Sequence, residues 1–292
     1  MIRLAKQYGR YGYRKIHELL QTEGLLINHK KVERIWREEG LQLPARHKRR
    51  KRLYHHDASV IRLRPHAPNH IWSIDFVHDK LSNHRPYKML TVIDEYTREA
   101  LSVTVANAMG SSEVLEALYP LLLKRGKPEY LRSDNGPEFS SEPFKEWLTK
   151  VGIKPIRIYP GSPWENGYNE RFNGTLRREV LNAEWFGTTR QAQTVINQWL
   201  KQYNHIRPHH ALGMRRVNAF AKLARKRKDA LHRHRPRELH DVVKVRALHI
   251  RHGNELDALH LTQIVDAQNV AMRNPRRQRQ FQAEPLHDVR VN

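Results

Sequence analysis

The chain of 292 residues contains no cysteine, which removes disulfides, thiolate nucleophiles and any zinc site that needs sulfur ligands. No stretch approaches the ~20 consecutive apolar residues of a membrane span, and the N-terminus lacks the apolar core of a signal peptide. A cytoplasmic protein is therefore expected. Acidic residues are scarce: 30 Asp and Glu stand against 53 Lys and Arg, for a formal net charge of +23. That excess is more than solubility requires and costs self-repulsion in isolation, so a polyanionic partner is expected. Part of it lies in the runs ARHKRRKRL (45–53) and KLARKRKDALHRHRPR (222–237), which by themselves would be solvated segments. The middle of the chain and the N-terminal segment are also basic, which favours nucleic acid. The 19 histidines leave a His-only metal cluster conceivable, but pairs such as His55–His56 and His209–His210 read as surface residues.

Apolar periodicity divides the chain. In residues 1–43, Ile16, Leu19 and Leu20 recur at helical spacing, as do Val32, Ile35 and Trp36 after a break. Asn28 is placed to cap the second helix and Gly40 to end it. Two short helices joined by a glycine-containing turn suggest a helix-turn-helix unit, with Lys30, Lys31, Arg34 and Arg37 on the second helix as the expected DNA contacts. Residues 44–67, rich in Pro, His, Lys and Arg, form a linker.

The segments HIWSIDFVH (70–78), KMLTVIDEY (88–96) and EALSVTVAN (99–107) predict three strands in an antiparallel meander. A helix over 113–126 follows, capped by Ser111 or Ser112. Next come a strand over 130–133, a helix over about 141–151, a strand over 153–159, and two long helices over about 163–184 and 188–204. This βββαβαβαα order predicts an α/β fold, a mixed sheet covered by helices, spanning residues 68–213. From 214 to 292 the pattern decays into charged, aperiodic sequence that predicts a poorly ordered basic tail.

Three carboxylates carry candidate chemistry. Asp75 lies mid-strand with apolar neighbours on both sides, where an ionised carboxylate costs several kcal/mol unless a metal or cation compensates it. Asp134 stands where a strand ends, in LRSDNGPEF (131–139), the place where α/β sheets build their sites. An Asx-type turn residue is the bland reading of the same position. Glu170 lies on a helix whose start is marked by Ser162, Pro163 and Glu165 as N-cap, N1 and N3. On that helix Asn166, Glu170, Asn173 and Arg177 follow at i, i+4, i+7 and i+11 and share one face, with Tyr168, Phe172, Leu176 and Val180 facing inward. Gly167 and Gly174 in a helix interior suggest close approach by another backbone, of protein or DNA. Asp94, in the turn DEYTR, and Glu138, past the Asn-Gly pair, are expected to lie outside the site. Two strand carboxylates and one on a helix suit divalent metal, since Mg²⁺ prefers oxygen ligands.

WSIDF, LRSDNGPEF and SPWENGYNERFNGTLRREV, followed by YNHIRPHHALG (203–213), resemble the OrfB-type transposases of bacterial insertion sequences, relatives of retroviral integrases. There are 58 residues between Asp75 and Asp134, and 35 between Asp134 and Glu170. The second interval matches the family's DDE spacing, and Arg177 occupies its basic, DNA-contacting position. GRYGYRKIHELL and NHKKVERIWREEGL match the helix-turn-helix segment that precedes the core in these proteins. The resemblance implies a ribonuclease H-like fold and a catalytic, metal-binding set of Asp75, Asp134 and Glu170 holding two Mg²⁺ or Mn²⁺ ions. It also implies a DNA contact from Arg177, and Asn166 and Asn173, on the same helix face, are expected to join it. The implied activity is cleavage at element ends and attack of the freed 3′-hydroxyls on target DNA. The implied partners are element-end and target DNA, a homo-oligomer of at least two copies, and an upstream OrfA-type DNA-binding product. Arg171 departs from the family pattern, where many relatives carry a small residue. A catalytically silent DNA-binding regulator and a stand-alone nuclease of the same fold are the rival readings.

Overall fold

The computed structural model describes residues 1–44, 62–158 and 166–233. The run 45–53, the helix start at Ser162, Pro163 and Glu165, and the chain beyond 233 lie outside these residues.

Three helices open the chain: α1 (Ile2–Gln7), α2 (Tyr13–Thr22) and α3 (His29–Glu38). They close on their own small core of Leu4, Tyr11, Ile16, Leu19, Leu20, Val32 and Trp36. Asn28 caps α3 as its sequence position predicts, its side chain accepting from the Lys30 amide at 2.9 Å. Gly40 follows with φ +63°, a left-handed conformation suited to glycine.

Five strands form one sheet in the order β3-β2-β1-β4-β5: β1 (Ile71–Lys80), β2 (Pro86–Asp94), β3 (Ala100–Ala106), β4 (Tyr130–Ser133) and β5 (Lys154–Arg157). The first three are antiparallel, whereas β4 and β5 add in parallel. This is the mixed sheet that the element order predicts, in the ribonuclease H-like form that the resemblance implies. β1 is central, which accounts for its apolar residues on both faces.

Helices cover both sides. On one, α4 (Ser111–Arg125), the single turn α5 (Pro137–Ser140) and α6 (Glu142–Val151) bury Val114, Leu118, Phe139, Phe144 and Leu148 against Trp72, Ile74, Leu90 and Val92. On the other, α7 (Gly167–Leu176), its continuation as a π-helical turn over Arg177–Leu181, and α8 (Thr189–His205) bury Phe172, Leu176, Val180, Ile196 and Trp199 against Val77, Met89, Ile93 and Val103. Alternate residues of β2 thus serve opposite cores.

Two expectations need correction. Helix α4 is not capped by Ser111 or Ser112. Both lie inside it, and the Glu113 carboxylate accepts from the Gly110 amide at 2.8 Å, closing the first turn. The stretch after 214 is not patternless either: α9 (Val217–Arg233) follows, burying Val217, Ala221 and Ala224. Arg225 of α9 pairs with Glu99, which also takes Arg125 at 2.5 Å, and Lys228 donates to the Pro68 carbonyl at 3.1 Å. Two of the three buried side chains are alanines, a stripe too small to show among so many Lys and Arg.

Candidate active site

The parallel register between β1 and β4 sets Trp72 beside Leu131 and Ser73 beside Arg132. Two residues further along each chain the same register brings Asp75 of β1 level with Asp134, just past the end of β4. Helix α7 lies across β1 and delivers Glu170 from the third direction. The Asp75 carboxyl is consequently pushed up from 3.8 to about 7, chiefly by burial, then by the Asp134 charge, with a smaller contribution from Glu170. Hydrogen bonds from the Phe76 amide (2.9 Å) and the Asn173 side chain (2.9 Å) oppose that rise.

Asp75 therefore feels both of the other carboxylates. Among the described residues, however, no three His, Asp or Glu side chains stand close enough together to hold an ion.

Supporting bonds fix the surroundings. Thr91, directly across from Asp75 in β2, donates to the Asp75 carbonyl (3.1 Å) and to Asn169 Oδ1 (3.0 Å), tying α7 to the strands beneath it. Asp134 accepts from the Gly136 amide at 3.0 Å, forming the Asx-type turn that its sequence context also allowed. A Cβ at Gly136 would stand 3.1 Å from that same oxygen and 3.2 Å from Glu138 Oε2, so only glycine leaves the turn undisturbed. Lys88 of β2 bonds Glu138 at 2.7 Å and overlies the Phe76 ring at 5.3 Å, while Phe76 stacks on Phe139 at 5.0 Å. Burial pushes the Glu138 carboxyl up, but the Lys88 bond, its own backbone amide and the Lys88 charge together hold it below its ordinary value.

The polar face of α7 is less uniform than its spacing suggests. Glu170 and Arg177 are exposed, and Arg177 donates to the His78 carbonyl at 2.8 Å. Asn173 is half-buried and engaged with Asp75. Asn166 is the N-cap, outside the α-helix proper and buried, so it does not share the exposed stripe. Tyr168 is half-buried under Arg98, whose guanidinium carbon lies 3.3 Å from the ring centre. Beside Asp75, a depression of about 300 Å³ is lined by Phe76, Val77, His78, Asn173, Gly174 and Arg177. No atom lies within 4 Å of a Cβ built at Gly174 or Gly167, so no backbone among the described residues explains either glycine.

Elsewhere, Lys30, Lys31, Arg34 and Arg37 are all exposed on α3, but Arg34 pairs with Glu38 (3.5 Å) and Arg37 with Glu33 (2.7 Å). Asp94 is no ordinary turn carboxylate: fully buried, it accepts from the amides of Asn69, Tyr96 and Thr97. His209 is buried rather than superficial. Sequence reasoning missed Thr91 and Asn169, whose pairing across two elements leaves no periodic signal.

Models of the integrase core domain match residues 65–163 and 151–216, and a model of an HTH-like domain matches residues 1–49. The uncharacterised 31.7 kDa protein of insertion element IS407 from Burkholderia multivorans is 40% identical over 230 residues, covering 79% of this chain and 82% of that protein. The putative transposase of IS986/IS6110 from Mycobacterium tuberculosis is 28% identical, covering 70% and 78% respectively. The integrase catalytic core of human T-cell leukemia virus 2, solved with magnesium in a dimeric form, is 26% identical over 48% of this chain and 89% of that chain, with a TM-score of 0.38. Sheet order and matched models together define an integrase-core protein of the polynucleotidyl transferase class with an HTH-like N-terminal unit. Within that class, the chain belongs to the insertion-sequence transposases.

Proposed function

We propose that the chain cuts DNA at the ends of its insertion element and joins the freed 3′-hydroxyls to target DNA, with Asp75, Asp134 and Glu170 as its catalytic and metal-holding set. The observation that carries this reading is the Asp75 carboxyl, raised to about 7 by burial and by Asp134 and Glu170 together. A half-buried strand carboxylate repelled by two others is a poor structural element, and it becomes a favourable one when positive charge is supplied between them.

An all-oxygen donor set fits Mg²⁺ or Mn²⁺, and Asn173, bonded to Asp75, keeps a side-chain oxygen without a partner among the described residues. Two such ions on Asp75, Asp134 and Glu170 would activate the attacking oxygen and stabilise the leaving one in an in-line displacement. The chain's own groups do the rest. Asn173 and the Phe76 amide hold the Asp75 oxygens, Gly136 lets Asp134 turn back at the end of β4, and Asn169 with Thr91 sets α7 over both. The depression beside Asp75, with Arg177 and the bare Gly174 at its edge, admits a phosphodiester close to the carboxylates.

DNA held by Lys30, Lys31, Arg34 and Arg37 of a helix-turn-helix unit (1–43) would be passed along a basic linker (44–67) to a core spanning 68–213. Two-ended transposition implies at least a dimer, and an OrfA-type product is a further expected partner.

Incubating the full chain with duplex oligonucleotides carrying the element ends, a target plasmid and Mg²⁺ or Mn²⁺ tests the reading. End-nicked products and oligonucleotide joined to plasmid are expected. Binding of the ends without either product would overturn it in favour of a silent regulator, and nicking without joining in favour of a nuclease.

A further inference from the structure

The segment YNHIRPHHALG has no part in the carboxylate site, yet the structure gives it a definite task. Arg207 from this segment reaches Glu179, in the π-helical turn that continues α7, through Nε (3.1 and 3.2 Å) and Nη2 (2.9 Å). Trp199 adds a bond to the same carboxylate at 3.2 Å. Both charges are buried, with side chains only 8% and 10% exposed. The buried His209 ring accompanies Arg207, at 3.5 Å from it and bonded to the Tyr203 carbonyl.

What covers this pair is the N-terminal helical unit. Lys15 of α2 places its Nζ 3.7 Å from Glu179, and the Tyr11 ring lies 4.4 Å from the same Nζ and 5.9 Å from the Arg207 guanidinium. A second contact runs from Arg216 to the Thr22 hydroxyl at 2.7 Å. Glu179 and Glu170 belong to one continuous helix. Glu170 has no hydrogen-bond or ion-pair partner among the described residues, so its position is set by how that helix is held. At one end the holding bond is Asn169 to Thr91, and at the other it is Glu179. π-helical turns carry an extra residue in the hydrogen-bonded ring and are often found at functional sites.

We propose that Lys15 is a positioning residue: by seating the helix-turn-helix unit on the Glu179–Arg207 pair, it fixes the far end of the helix that carries Glu170, Asn173 and Arg177, and so sets DNA bound to that unit in register with the site. The contact is enabling. A flexibly tethered unit would bind DNA equally well, but without a fixed path to the carboxylates.

Lys15 faces Glu179 and Arg178 of the π turn, Arg207 and His209 beyond α8, and Tyr11 of its own unit. Burial, then Arg207, lowers its pKa to about 8 against the pull of Glu179. Because the seated lysine holds its proton less tightly than a solvated one, the contact is not weakened as pH rises through 8. Arginine, always protonated, would keep the charge beside Glu179 at every pH.

The inference rests on the strand-transfer reading of the site. Wild-type cleavage tests that reading, whereas the comparison of variants tests this one. Lys15→Met, Lys15→Arg and, as a control, Arg3→Ala in the full chain would be assayed for end binding and for end cleavage from pH 7 to 9. Lys15→Met should bind ends as wild type does, with an unchanged KM for DNA, but with kcat lower by roughly 10–100-fold, the range expected from a misplacement of about 1 Å. Lys15→Arg, which keeps the charge beside Glu179, should restore kcat across the same pH range, over which wild type keeps its seat. Arg3→Ala should match wild type. Cleavage by Lys15→Met at or above the wild-type rate would overturn the proposal, as would a Lys15→Arg variant that folds and binds ends yet has lost cleavage. The second outcome decides even if Lys15→Met does not fold.

Discussion

Replacing Asp75 with asparagine should make the metal-free protein more stable at pH 8, an unusual outcome for a change inside a central strand. The carboxyl sits at about 7 in the folded chain against an ordinary 3.8. Its raised value means that stability is greatest below pH 4, where folded and unfolded states both keep the proton. Stability then falls progressively as pH climbs to 7, because only the unfolded chain gives the proton up readily. At 1.36 kcal/mol per pKa unit the full penalty is on the order of 4 kcal/mol, and partial exposure and relaxation leave about 2–4 kcal/mol. The amide avoids the penalty at little local cost. Asn173 has an unpartnered Oδ1, so flipping its side-chain amide offers an acceptor where it now offers a donor. Thermal melts with a chelator from pH 4 to 8 should show wild type and Asp75→Asn together at low pH. At pH 8 the variant should melt roughly 5–15 °C higher. Adding Mn²⁺ should narrow the gap by stabilising wild type selectively. Equal melting at pH 8, or a less stable variant, would refute the picture of a carboxylate strained by burial and by its two neighbours.

Two further outcomes follow from the surrounding structure. Changing Lys30, Lys31, Arg34 and Arg37 together to alanine should weaken DNA binding and flatten the log K against log salt slope by about 0.9 for each phosphate that is no longer neutralised. An unchanged slope would remove α3 from the interface. Ending the chain after residue 216 removes α9, with Val217, Ala221, Ala224 and the Arg225–Glu99 pair. It should lower the melting temperature by several degrees, through a destabilisation of about 2–4 kcal/mol; unchanged melting would mean that α9 contributes nothing to the core.

Much of this architecture was legible because strands and helices differ in apolar period. β1 betrays its central place by being apolar on both faces, and for the same reason Asp75 stands out as a charge without an obvious counter-ion. Asn28 was readable as a cap because capping is local. Partnerships between distant elements were not readable. Nothing at Thr91 announces Asn169, and nothing at Glu179 announces Arg207 or Lys15, because such pairs exist only once the chain has folded. Asp94 illustrates the opposite error. Its turn context was correctly read, but three backbone amides converge on it and make it a buried structural carboxylate rather than a mild control. Helix α9 escaped notice because alanines define its buried face and lysines and arginines surround them.

The central claim, that Asp75, Asp134 and Glu170 form one catalytic unit, is tested most directly by end cleavage and joining with single and paired substitutions. Asp75→Asn, Asp134→Asn and Glu170→Gln should each abolish both steps in Mg²⁺ or Mn²⁺ while leaving DNA binding intact. Combining any two should cost little beyond either alone. Glu138→Gln, which only loosens the Lys88 pair, should retain most activity. Near-normal cleavage by Glu170→Gln alongside loss of cleavage in Glu138→Gln would contradict the account.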